Sequence, residues 1–214
     1  MVMVNVLYIH GMGGGSDSRI PSILRDALAP RGIAVICRTY DFDPEIAAAQ
    51  ISSWVSELKP ELVIGESLGS LHTLKISGIP HLFVSPALNA SFYFSIFSVL
   101  TRIPGMTKVF DRIYRPREGD RQPLHFIPDT LKKYRRHREE ALTASAVDGG
   151  SMCDFAFFGT RDHYRRSGVV SIRTWRKHFG EGSYALYEGT HFMEEEFIHK
   201  MLIPKIIEFF QDKP

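Results

Sequence analysis

The stretch "LVIGESLGSL", residues 62–71, sets one serine between two glycines where an apolar run ends and a helical pattern begins. Glycine weakens regular elements, so Gly65 and Gly69, each two residues from Ser67, need a reason. A tight strand-to-helix turn is one reason. A turn that holds a nucleophile is another.

Outward from this stretch, residues 4–10, 33–38, 81–85, 155–158 and 183–187 also read as strands. Helical patterns at 18–28, 44–58, 67–76, 171–179 and 193–211 separate them. Asp43 is placed to cap the second helix, with Glu45 in its first turn, and Pro204 kinks or divides the last. Strands alternating with helices imply a mostly parallel sheet covered on both faces. Six strands joined by right-handed crossovers make a doubly wound α/β domain. The length of 214 residues suits one domain, with an insertion at 86–150 where the alternation stops.

The composition, 44% apolar and 23% charged, is that of an ordinary globular protein. A formal charge of +2 is too small to argue for nucleic acid or a membrane-seeking surface. Cys37 and Cys153 lack CxxC spacing and read as two buried thiols in a reducing compartment. The start, "MVMVNVLYIHG", has no positive n-region or small-residue cleavage site and reads as a first strand. No apolar run approaches the roughly 18 residues of a spanning helix, so the cytoplasm is the expected location. The nine histidines show no HxH, HExxH or clustered acidic spacing, and no metal is expected.

In open α/β sheets ligands gather at the carboxyl ends of the strands, and the distinctive polar residues follow strands here. Ser67 sits in G-x-S-x-G, between a strand and a helix, where its Oγ projects above the sheet. A serine hydroxyl needs a base, and His191 in "YEGTHF" follows the last strand. Asp162 in "FAFFGTRDHY" follows the fifth strand and is the expected orienter of that imidazole. His163 and His72 are rivals to His191, and Asp154 and Asp41 to Asp162. Asp154 precedes its strand, and Asp41 lies too far along the sheet. Negative charge on an attacked carbonyl oxygen needs fixed donors, offered by the backbone N–H groups of Met12 in "HGMGGG" and of Leu68. Glu66 is either a site residue or a packed side chain, and His10 a buried brace for its loop.

Together "YIHGMGGG", "GESLGS", "FVSPALNA", "FFGTRDH" and "YEGTHF" resemble the α/β-hydrolase superfamily, and in particular its small single-domain bacterial intracellular esterases. The resemblance covers residues 4–85 and 154–211. It implies the sheet order 2-1-3-4-5-6, a triad of Ser67, Asp162 and His191, and an acyl-enzyme mechanism without cofactor. Ser70 departs from relatives that carry a second glycine there, and its hydroxymethyl group is expected to tighten helix–strand packing.

Residues 86–150 enter where this fold commonly inserts a cap. The aromatic "SFYFSIFSVL" is expected to wall the acyl side of the cleft with Phe92, Tyr93, Phe94 and Phe97. The run "LKKYRRHREE", residues 131–140, reads as a solvated basic helix face, or alternatively as a site for an anionic group or lipid surface. The expected activity is hydrolysis of small carboxylic esters or thioesters. The alternatives are a binding protein on the same scaffold and a lipid- or nucleic-acid-associated interaction protein.

Overall fold

The computed structural model describes residues 3–114, 118–147 and 154–211. Cys153, residues 115–117 and residues 148–150 of the insertion lie outside the described residues. Six strands, β1 Val4–Ile9, β2 Ile33–Cys37, β3 Leu62–Glu66, β4 His81–Val84, β5 Phe155–Gly159 and β6 Tyr184–Tyr187, form one sheet in the order β2-β1-β3-β4-β5-β6. Every pairing is parallel, where the sequence suggested a mostly parallel sheet. The helices are α1 Arg19–Leu28, α2 Pro44–Leu58, α3 Gly69–Thr73, α4 Ala90–Leu100, α5 Met106–Ile113, α6 Pro128–Val147, α7 Tyr164–Ser167, α8 Ile172–Phe179, α9 Glu195–Phe197 and α10 Ile203–Gln211.

Alternation along the strands divides the core between the two faces of the sheet. Val6, Tyr8, Ile64 and Val84 join side chains of α1 and α10 on one face. Leu7, Ile9 and Val63 meet α2 on the other, and Phe83 and Phe158 meet Trp175 of α8. The expected cap of α2 forms: the Asp43 carboxylate accepts from Glu45 N, with Pro44 in the first turn. α3 is shorter than expected, beginning at Gly69 and ending at Thr73. The closing helix runs as α9, a π turn over Ile198–Leu202, and α10. The wide turn ends two residues before Pro204 and contains Lys200, whose carbonyl the proline ring would crowd in a regular helix.

The insertion does not form a layer of its own. Phe94, Phe110, Phe126, Leu131 and Tyr134 share one buried cluster with Leu71, Phe83 and Phe158. The solvated basic face expected at residues 131–140 is present, with Lys132, Arg135 and Arg136 exposed. Leu131, Tyr134 and His137 form the opposite, buried side of α6, and several of its charges pair at the surface. Lys133 bridges Asp43 at 2.7 Å and Glu45 at 2.8 Å, while Glu140 pairs with both Lys75 and Arg136 at 2.7 Å. Arg138 donates to the carbonyl of Leu88 at 2.6 Å. α6 therefore extends the helical layer beside α2 and α3.

Candidate active site

The register places Tyr8 beside Ile64 and Ile9 beside Gly65, so the loops after β1 and β3 leave the sheet side by side. Ser67 stands at the turn with φ of 49°, in the left-handed region that a serine occupies only when its surroundings hold it there. Its N–H donates to the Val84 carbonyl at 2.9 Å, and its own carbonyl accepts from Ala87 N at 3.0 Å. Both flanking glycines are there for space. A Cβ on Gly69 would lie 2.4 Å from the Ile9 carbonyl oxygen and 2.5 Å from that of His10. One on Gly65 would lie 2.5 Å from Thr73 Oγ1. Ser70 Oγ donates to the Gly65 carbonyl at 3.3 Å, within this close packing of helix on strand.

His191 Nε2 lies 2.8 Å from Ser67 Oγ, and His191 Nδ1 lies 2.8 Å from Asp162 Oδ2. Asp162 and His191 are each 3% exposed, so their hydrogen bond is sheltered from water. The second Asp162 oxygen accepts from Tyr164 N at 2.8 Å, which fixes the carboxylate. The loop carrying His191 is clamped by side chains that sequence reading passed over. Tyr187 Oη donates to the Thr190 carbonyl at 2.7 Å, and Glu194 accepts from Thr190 N at 3.0 Å. From α1, Arg19 donates to the Phe192 carbonyl and, at 2.8 Å, to that of Met193.

The glycine loop after β1 is held the same way. Gly13 N donates to Gln122 Oε1 at 3.0 Å, and Gln122 N to the Gly14 carbonyl at 2.7 Å. A Cβ on Gly15 would overlap the Asp120 backbone at 1.6 Å. The insertion thus braces the loop that carries Met12. His10 Nδ1 donates to the Gly11 carbonyl at 2.8 Å, and burial pushes its pKa down to about 4, so it stays a neutral brace near neutral pH.

Of the rivals, His163 lines the cavity but it is His191 that meets Ser67 Oγ. His72 is buried in the layer behind the turn. Asp154 pairs with His81 Nδ1 at 3.0 Å at the opposite end of the sheet, and Asp41 accepts from Asp43 N at 2.7 Å. Glu66 accepts from Tyr8 Oη at 2.9 Å.

Ser67 opens into a cavity of about 770 Å³. Met12 and Leu68 border it, and Tyr93, Phe94 and Phe97 of α4 with Tyr114 form an aromatic wall. Phe92 is absent from the wall and corrects the sequence expectation. It is 55% exposed and lies beneath the Arg138 guanidinium, 5.0 Å from its ring centre. Among the described residues α6 contributes nothing to the lining; the lining residues of the insertion lie between Ala87 and Arg121. No group of three His, Cys, Asp or Glu side chains converges as a metal-ligand set among the described residues.

No family model matches the chain, and no curated relative does. Solved structures do. Tomato methylketone synthase I complexed with 2-tridecanone superposes with a TM-score of 0.65 at 11% identity, covering 100% of both chains. Est1E from Butyrivibrio proteoclasticus with bound ferulic acid gives 0.61 at 14% identity, over 99% of this chain and 91% of the other. The chain has the α/β-hydrolase fold. A structure from work on carboxylesterases of the thaumarchaeon Nitrososphaera gargenis gives 0.59 at 12%, over 98% and 92%. Among the described residues no helix is long and apolar enough to cross a membrane.

Proposed function

We propose that this α/β-hydrolase is a serine hydrolase of carboxylic esters or thioesters that works through an acyl-enzyme. The observation that carries the reading is the relay from Ser67 Oγ through the His191 ring to Asp162, with 2.8 Å at each step. Neutral His191 takes the serine proton at Nε2 as Oγ attacks the acyl carbonyl carbon. Asp162 holds the tautomer with the proton on Nδ1 and stabilises the imidazolium. The N–H groups of Met12 and Leu68 receive the developing oxyanion. The tetrahedral adduct collapses, and the departing alcohol or thiol takes the proton from His191. Water then attacks the acyl-Ser67 ester, gives its proton to His191, and the acid leaves as Ser67 is restored. Each step balances without a cofactor.

The aromatic wall supports an apolar acyl group, with Phe94 and Phe97 along its length and residues 90–121 acting as the cap. Cys37 is a buried free thiol, as the proposed cytoplasmic setting would keep it. Structures similar in fold include lipolytic enzymes and carboxylesterases but also a methylketone synthase, so the site and not the fold carries the reading. The test is turnover of p-nitrophenyl esters by the parent and by Ser67→Ala. The parent should hydrolyse them, and the folded alanine variant should not. Equal turnover would remove Ser67 from the mechanism. An inactive parent that still binds acyl ligands would make the chain a binding protein on this scaffold.

A further inference from the structure

The insertion carries a surface that the hydrolytic reading does not use. Seven of the twelve exposed large apolar side chains among the described residues lie between positions 92 and 127. Single exposed apolar residues are normal, but these follow helical register. On α4, Ile96 and Val99 lie on one side, 56% and 61% exposed, and Ile103 continues past the helix end. On α5, Val109 and Ile113 stand one turn apart and exposed. Other sides of these helices face inward: Phe94 and Phe110 are buried, and Tyr93 and Phe97 reach the cavity.

Beside the apolar side chains stand Arg102, Lys108 and Arg112, all exposed and without an ion-pair partner among the described residues. From residue 90 to 113 the chain carries these three cations and one acid, Asp111. That charge selects the occupant. A second copy pairing through this same face would bring two patches of net positive charge together, which opposes association. An anionic lipid surface accepts the apolar groups at its acyl boundary and the cations at its headgroups. The basic helix α6 is a poorer candidate, because Asp43, Glu45 and Glu140 already engage its charges.

We infer that the α4–α5 face is a docking surface for an anionic membrane, on which the protein lies without spanning it. The aromatic wall of the cavity is built on α4 and on Tyr114, which directly follows α5, so docking sets the cavity's apolar side close to the lipid.

Vesicle flotation with Ser67→Ala protein reads this separately from hydrolysis. The protein should float with equimolar phosphatidylcholine and phosphatidylglycerol, float poorly with phosphatidylcholine alone, and dissociate as salt rises. Ile96→Ser with Val99→Ser, and separately Lys108→Glu with Arg112→Glu, should each weaken partitioning at least about tenfold. In the background with Ser67 restored, these changes should leave melting temperature and turnover of a water-soluble ester at parental levels, because none of the four residues lines the cavity. The inference is overturned if the protein ignores anionic vesicles or the variants bind like the parent. It is equally overturned if Arg135→Glu with Arg136→Glu on α6 abolishes binding while the α5 pair does not. A parent dimer dissolved by the same α4 and α5 substitutions, with no vesicle binding, would assign the face to a second copy.

Discussion

Acid should destabilise this protein above the range where its carboxylates titrate, and three buried histidines set the scale. His10, His72 and His137 expose only 0%, 2% and 5% of their surface. With Tyr40 and Tyr134 they form a buried column of rings. His10 stacks on Tyr40 at 4.3 Å, Tyr40 meets His72 edge-on at 5.0 Å, and His72 lies 4.5 Å from His137. His10 Nε2, both His72 nitrogens and His137 Nε2 have no hydrogen-bond partner among the described residues, so an added proton would be poorly solvated there. Burial pushes His10 and His137 down to about 4, and His72 well below its ordinary value. Unfolded, each titrates near ~6.5. Between those values the unfolded chain binds protons that the folded one excludes. Stability is therefore fully present above pH ~6.5 and falls as pH drops below it. A full unit inside that window is ~1.4 kcal/mol per group, so moving from about pH 7.5 to about pH 5 should cost ~2 kcal/mol for each of His10 and His137, ~4 together, with His72 acting in the same direction. Against a typical total of about 5–15 kcal/mol that is a large share. Asp43, Asp120 and Glu140, held low by their hydrogen-bond and ion-pair partners, add their losses only at more acid pH. Urea unfolding at three pH values across the window measures the slope, and His137→Phe should lower the loss between about pH 7.5 and about pH 5 by ~2 kcal/mol. A midpoint unchanged between about pH 7.5 and about pH 5, or a slope that His137→Phe leaves intact, would refute the reasoning.

Gly69→Ala should lower stability by ~2–4 kcal/mol and turnover by more than tenfold, because its methyl group meets two β1 carbonyls; Gly182→Ala, with open space around it, should be near neutral in urea unfolding and rate assays. Asp162→Asn should lower kcat on the order of 10⁴-fold while leaving KM close to the parent's, as steady-state kinetics would read. Phe97→Ala should shift the preferred acyl chain length in a series of esters, since each buried methylene is worth ~0.8 kcal/mol. Phe94→Ala should also cost ~3 kcal/mol in stability, because that ring packs on Tyr134 at 4.8 Å between centres.

The strands were legible because a sheet buried on both faces demands short continuous apolar runs, and residues 62–64 and 155–158 have them. The site followed from asking which polar residues come directly after strands, and Ser67, Asp162 and His191 do. Phe92 was misplaced by composition. Helical register sets it apart from Phe94 and from Phe97, whereas Tyr93 and Phe97, four apart, share a side. Register would also have shown that α6 buries Leu131, Tyr134 and His137, three apart, beneath its charges. The clamps had no local signal. Arg19 reaches Met193 and Gln122 reaches Gly13 only because the chain returns to the same edge of the sheet after more than a hundred residues. Nor did any local pattern foretell that Asp120 would fill the space Gly15 leaves open.

The hydrolytic reading stands most directly on the reactivity of one hydroxyl. A fluorophosphonate probe, followed by intact mass and peptide mapping, measures it. A single adduct is expected on the peptide containing Ser67, lost in Ser67→Ala and strongly slowed in His191→Ala. A parent that stays unlabelled, or an alanine variant labelled as fast as the parent, would contradict it.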